Sequence, residues 1–182
     1  MERWTEAPDR VGVVVAARCW RWSVGAGGPR LVSITRAVRW PARARLEAVC
    51  SDPDAWTLWR GRGRPPAGHP SPHPDCSCGI WGLAHAGTLL AQHRSVAYAY
   101  GTVALWGPVL CGPYGWRARY AYPQALVRVG PISDADAAWG RGVPRPRLAP
   151  PPLEELARAY GVPLVDSWPA LTPPAVRAEG AG

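Results

Sequence analysis

Phenylalanine, lysine and asparagine are missing from this sequence of 182 residues, so all 21 basic residues are arginine. Alanine, glycine, proline and tryptophan are abundant, a bias that follows the codons of a very GC-rich genome. The number of arginines therefore does not by itself show selection for guanidinium chemistry. The balance of charge is still informative, because 13 acidic residues leave a net charge of +8 that favours anionic partners such as nucleic acid.

Long apolar segments are missing as well. The longest, Val11 to Ala17, is far too short to cross a bilayer, so we expect no membrane span and no membrane partner. Glu2, Glu6 and Asp9 are the reverse of the basic start of a signal peptide, and we therefore expect a cytoplasmic protein. No glycine-rich phosphate loop of the Walker or dinucleotide type occurs, which leaves nucleotide chemistry without support.

Alternation of apolar residues between glycine-rich turns predicts an antiparallel sheet. Residues 11–24 and 30–35 are expected to form one hairpin, and residues 95–110 and 116–122 a second pair whose first strand is bent at a glycine. We predict an α+β fold: a twisted antiparallel sheet, or a small partly closed β-barrel, with two or three short helices and a metal-bound loop.

Helical spacing of apolar residues is clearest in two segments, 82–94 and 152–160, the second of which ends at Gly161. Shorter helices are predicted over residues 42–50 and 133–139. These helices are expected to pack on the sheet.

One domain over residues 11–165 is predicted, since the length suits a single hydrophobic core. Residues 1–10 precede the domain as an arm, and a proline-rich connector within it occupies residues 141–152. Residues 166–182 are expected to form a flexible tail.

Five cysteines, an odd number, do not suit a disulfide framework, and we expect reduced thiols. Two of them lie with two histidines in a proline-rich loop, residues 68–79. A structural zinc site of three cysteines and one histidine is predicted, with the ligands Cys50, His69, Cys76 and Cys78. Gly79 would allow a tight turn behind the second thiolate of the loop.

Other interpretations of the cysteines stay open. His73 can replace His69 as the ligand, the metal can belong to an iron–sulfur centre, or the loop cysteines can be buried apolar residues without metal. A nucleophilic couple of Cys76 with His85 or His93 is a further hypothesis, although no orienting carboxylate accompanies it.

Arginine alternates with aromatic residues at several places, a mixture that suits single-stranded nucleic acid because arginine binds phosphate and rings stack on bases. The same alternation fits an ordinary sheet with tryptophan in its core. On the 116–122 strand we expect the rings to face inwards and the arginines outwards. The candidate nucleic-acid contacts are Arg62, Arg64, Trp116, Arg117, Arg119 and Tyr120.

Three short motifs stand out: Cys-Ser-Cys-Gly-Ile-Trp at 76–81, Leu-Trp-Gly at 105–107 and Gly-Trp-Arg-Ala at 115–118. In these motifs the chain resembles a group of small uncharacterised proteins that are frequent in high-GC actinobacteria. The match spans residues 11–165 and departs at Gly82, where the group continues with alanine. The resemblance favours His69 over His73 as the ligand and implies no activity.

The leading functional hypothesis is a non-catalytic, zinc-stabilised binding module for an anionic partner, with nucleic acid first among the candidates. A protein–protein adaptor that docks through the exposed hairpin or the proline-rich segment 144–152 is the second hypothesis. The third is a cysteine- or metal-dependent enzyme, which the reaction of native Cys76 with iodoacetamide would distinguish.

Overall fold

The structure is a computed structural model that describes residues 5–6, 12–50, 68–95, 98–130 and 150–173. The strands are β1 (Thr5–Glu6), β2 (Val14–Gly25), β3 (Gly28–Val32), β4 (Leu46–Glu47), β5 (Ile80–Leu83), β6 (Ala99–Gly112), β7 (Gly115–Val127) and β8 (Leu164–Val165). The helices are α1 (Ala86–Gln92) and α2 (Leu153–Tyr160). All strand pairings are antiparallel except that of β7 with β8, so the α+β class and the antiparallel sheet are confirmed. None of the described helices has the length and apolar character that a membrane span requires.

The two longest strands, β6 and β7, form a hairpin at the centre of the sheet. Their register shifts after Thr102 and again after Trp106, where Gly107 has φ +77°, so the predicted bend at a glycine is confirmed. β2 pairs with β6, and β5 joins β2 to β7, so the pairings close a ring of four strands. The β2–β5 side rests on the single pair Ala17 and Leu83, and the ring is therefore not a barrel.

The main core lies between the sheet and α2, and its largest members are the fully buried Trp20, Trp40 and Trp116. Tyr160 of α2 is buried among them. Its hydroxyl donates to the backbone oxygen of Trp40 at 2.7 Å and accepts from the N–H of Leu31 at 3.0 Å. These bonds satisfy buried polar groups on both sides of the contact and hold α2 on the sheet.

Three predicted helices fall within the described residues, and they differ in outcome. The predicted 152–160 helix is confirmed as α2. The predicted 82–94 helix begins later, as α1, because the residues before it pair with β7 as strand β5. The helix predicted over 42–50 is wrong: two of its residues form β4 against β7, and Val49 is 78% exposed. The helix predicted over 133–139 lies outside the described residues.

Segments on either side of the predicted domain also contact the sheet. β1, in the predicted arm, pairs with β6. In the predicted tail, the N–H of Thr172 donates to the backbone oxygen of Val15 at 2.8 Å, and the N–H of Val15 donates to Thr172 Oγ1 at 2.9 Å. Trp168 and Leu171 pack against the cluster that contains the buried Leu89 of α1.

Candidate metal centre

Strand β7 positions both segments that carry the candidate metal ligands, namely Cys50 and the loop 68–79. β4 pairs with β7 at residues 120–121 and leads to Cys50, whereas β5 pairs with β7 at residues 115–118 directly after the loop 68–79. The two pairings lie next to each other on one edge of β7, because β6 occupies the other edge. This register brings Cys50 to the loop although the two are far apart in sequence.

The four predicted ligands, Cys50, His69, Cys76 and Cys78, form one cluster whose ligand atoms all lie within 4.8 Å of one another. The Sγ atoms of Cys50 and Cys76 are 3.8 Å apart, and Cys78 Sγ is 3.5 Å from His69 Nε2. A tetrahedral zinc ion, with bonds of about 2.3 Å to sulfur and about 2.1 Å to nitrogen, places two sulfurs about 3.8 Å apart and a sulfur and a nitrogen about 3.6 Å apart. The four side chains therefore lie close enough to bind one metal ion.

The histidine in the cluster is His69, not His73. The His73 ring lies against the His69 ring, with centroids 4.9 Å apart and planes at 57°. Its Nδ1 accepts a hydrogen bond from the backbone N–H of Asp75 at 3.2 Å, and its carbonyl oxygen accepts from the N–H of Cys76 at 3.1 Å. His73 thus shapes the turn before Cys76 and packs beside the ligand.

Gly79 gives the loop its tight turn, as predicted. Its φ of +111° lies in the region that favours glycine, and a Cβ there would be 2.9 Å from Pro72 Cβ and 3.2 Å from Arg117 Cβ. The backbone can therefore turn from Cys78 into β5 only because residue 79 has no side chain.

Arg117 lies beneath the loop and is 1% exposed. In the β5–β7 register it is opposite Trp81, and its guanidinium is 5.2 Å from the centroid of that ring. Its Nη1 donates to the carbonyl oxygens of Cys76 and Cys78, the latter at 3.0 Å. Burial lowers the pKa of Arg117 to about 10, while the charges of the two thiols act in the opposite direction. Arg117 therefore brings a positive charge to a site at which three thiolates would outweigh a bound divalent ion by one charge.

The two loop thiols have different environments. Burial raises the pKa of Cys76 to about 12. Burial also acts to raise the pKa of Cys78, but hydrogen bonding with Ser71 and His69 outweighs it and lowers that pKa. Apart from this interaction with Cys78, the buried Ser71 hydroxyl has no hydrogen-bond partner among the described residues, so it is available to donate to a thiolate at Cys78.

The residues predicted to contact nucleic acid differ in their exposure to solvent. Trp116 and Arg117 are each 1% exposed, so the expectation that Arg117 faces outwards is wrong, because the loop 68–79 covers that face of β7. Arg119, on the same face but beyond the loop, is exposed and paired with Glu47 at 2.8 Å. Tyr120 is half-buried. Arg62 and Arg64 lie outside the described residues.

The histidines proposed for a nucleophilic couple, His85 and His93, do not belong to the metal-ligand cluster found among the described residues. They flank α1 at its two ends, and His85 is exposed. Three sulfurs and one nitrogen of the cluster lie close enough together to bind a single ion instead. Comparisons of the chain with protein-family models, curated proteins and solved structures gave no match.

Proposed function

We propose that this protein is a non-catalytic binding module for nucleic acid, stabilised by a structural zinc ion. The observation that carries the proposal is the closed set of Cys50, His69, Cys76 and Cys78, with ligand atoms within 4.8 Å of one another. Catalytic zinc sites keep one position open for water or substrate, whereas structural sites use four protein ligands. A shell of three thiolates also makes a weak Lewis acid, which supports a structural role.

Zinc is proposed over other metals on ligand chemistry and spacing. Thiolate and imidazole together suit a tetrahedral zinc ion, and the 3.8 Å sulfur separation fits ligands that share one ion. An iron–sulfur cluster distributes its cysteines over several iron atoms, which sets them farther apart. We expect the metal to join β4 to β5 through their loops, where no backbone pairing between these strands is present in the described residues.

The surface proposed for nucleic acid is the exposed end of the β4–β7 edge. Tyr120 lies there between two guanidinium groups: Arg45 is 4.4 Å and Arg119 5.3 Å from the centroid of its ring. The ring of Trp106 lies 6.1 Å from that of Tyr120. Two cations beside half-buried aromatic rings form a surface that can pair with phosphates and stack on bases. The proposed interface therefore includes Arg45, and it no longer includes Trp116 and Arg117, which are buried.

Binding can be tested by fluorescence anisotropy with labelled oligothymidylate at several salt concentrations. The double variant Arg45→Gln/Arg119→Gln is compared with Arg128→Gln/Arg158→Gln, which removes the same charge on the α2 side of the molecule. We expect the first variant alone to bind more weakly and to flatten the slope of log K against log salt by about 0.7 per lost phosphate contact. Equal losses in both variants would show non-specific charge attraction, and absence of binding at low salt would refute the nucleic-acid proposal.

A further inference from the structure

Arg18 is a cation at a core position of β2. The residues that alternate with it on the same face, Val14, Ala16 and Trp20, are all buried. The Arg18 guanidinium lies 5.0 Å from the centroid of the Trp40 ring. Strand periodicity and packing therefore both place a positive charge where an apolar side chain would be expected.

The hydrogen bonds of Arg18 do not use its full capacity. Nη1 donates to the carbonyl oxygen of Trp81, and Nη2 lies 3.4 Å from Ser33 Oγ. Nε is buried and has no acceptor within the described part of the chain. A guanidinium has five N–H groups, so these two bonds leave most of its donors available.

The charge of Arg18 also has no counter-ion among the residues that the structure describes. No carboxylate of the described residues lies within ion-pair distance of it. Burial lowers the pKa of Arg18 to about 10, which still leaves the group charged at neutral pH. A partly buried cation without an anionic partner is unfavourable, and a bound anion would reduce that cost.

Arg18 lies in the wall of a cleft of about 560 Å³, which is in the size range of small-molecule sites. Its apolar wall includes Ile34, Val38, Leu83 and Leu89. The polar groups include Arg36 and His93, whose pKa is lowered by burial and, to a smaller extent, by the charge of Arg18. The one carboxylate among the described lining residues, Glu47, is engaged by Arg119.

We propose that this cleft binds a small organic oxyanion, a carboxylate or a phosphate ester, with its charged head on Arg18 and its apolar body against Ile34 and Val38. A guanidinium binds such a head through two parallel N–H bonds, which gives orientation as well as affinity. Arg45 and Tyr120 of the nucleic-acid surface do not line this cleft, so anion binding is tested separately from nucleic-acid binding. The candidate metal ligands Cys50, Cys76 and Cys78 do line it, and the cleft therefore rests on the same loop as the proposed zinc site.

The proposal can be tested by titrating the metal-loaded protein, as purified, in amide NMR spectra. Benzoate and phenyl phosphate are the two anionic probes, and benzamide is a neutral molecule of nearly the same shape as benzoate. We expect saturable shifts around Ser33 and Ile34, with benzoate or phenyl phosphate binding at least about tenfold more tightly than benzamide. The tighter of the two anions identifies the preferred head group. Equal affinity for benzoate and benzamide, or no binding of either anion, would overturn the proposal.

Variants can test whether the preference for an anion over benzamide depends on Arg18. Arg18→Met should abolish the preference for the anion, whereas Arg21→Met, at an exposed arginine of the same strand, should keep it. Because Arg18 also donates a hydrogen bond to β5, a second variant keeps the arginine. Ser33→Asp places a carboxylate beside the Arg18 guanidinium, and this carboxylate should compete with the bound anion. A folded Arg18→Met or Ser33→Asp protein that still prefers benzoate would contradict the assignment.

Discussion

The Nη1 atom of Arg117 donates to the carbonyl oxygen of Cys78 at 3.0 Å, which ties a buried cation of β7 to a predicted metal ligand. The contact follows from register, because Arg117 and Trp81 are opposite each other on β7 and β5, and Cys78 is three residues before Trp81. The sheet therefore positions both the loop that carries the ligands and the positive charge beneath them.

Arg117→Met should weaken zinc binding by about 10- to 100-fold, the usual effect of losing a residue that supports metal ligands. The variant leaves the Cys76 and Cys78 carbonyls without their donor and removes the charge that offsets the thiolates. Competition with a chromogenic chelator measures the affinity. Arg119→Met, which removes an exposed arginine two residues along the same strand, should leave zinc affinity unchanged. Equal effects of the two changes would show that Arg117 has no special relation to the site.

His69→Ala and His73→Ala should differ sharply in zinc affinity, although both change a histidine of the same loop. His69 belongs to the cluster of candidate ligands, whereas His73 packs beside it and accepts a hydrogen bond from the N–H of Asp75. We expect a loss of at least about tenfold for His69→Ala and little change for His73→Ala in the same chelator assay. The opposite order would make His73 the ligand.

Gly79→Ala should destabilise the fold more than Gly68→Ala. Both glycines have positive φ, +111° and +74°, but a Cβ at Gly79 meets Pro72 at 2.9 Å whereas one at Gly68 meets nothing within 4 Å. Left-handed backbone costs about 1–2 kcal/mol in each case, and the clash at Gly79 should add about 1–3 kcal/mol. Urea denaturation of the two variants gives the difference, and equal midpoints would mean that the turn relaxes without cost.

Tyr160→Phe should lower the free energy of unfolding by about 1–3 kcal/mol, because it leaves the Trp40 carbonyl and the Leu31 N–H without their buried partner. Tyr114→Phe removes a hydroxyl from a side chain that is 60% exposed and serves as the control, with no change expected. Denaturation by urea, followed by tryptophan fluorescence, measures both. A Tyr160→Phe protein as stable as the parent would show that water replaces the lost bonds.

The cluster of candidate ligands and the long strands could be predicted because their signals are local. Cys76 and Cys78 are two residues apart, and the proline-rich loop around them contains His69. In the sequence, only its thiol marks Cys50 as a fourth candidate ligand. The structure shows why Cys50 lies near the loop: β4 and β5 pair with the same edge of β7. Strand β4 has only two residues, which is too short to give a periodic signal, and so the sequence predicts a helix before Cys50 instead.

The burial of Arg117 and the partial burial of Arg18 could not be predicted with the same ease. Alternation along β7 correctly separates Arg117 from its neighbours, but it does not tell which elements cover each face. For Arg18 a signal was present, since it alternates with Ala16 and Trp20 on an apolar face of β2. A charged residue in phase with core positions indicates a buried cation, whose partner must then be sought.

The measurement that tests the account most directly is native mass spectrometry of the purified protein with elemental analysis, repeated on Cys78→Ser. We predict one zinc ion per chain, held by Cys50, His69, Cys76 and Cys78. In Cys78→Ser we expect loss of the metal together with loss of the native fold, measured by near-ultraviolet circular dichroism. A parent protein that is folded without metal would contradict the proposal of a zinc-stabilised module. The loop cysteines would then be buried apolar residues or reactive thiols.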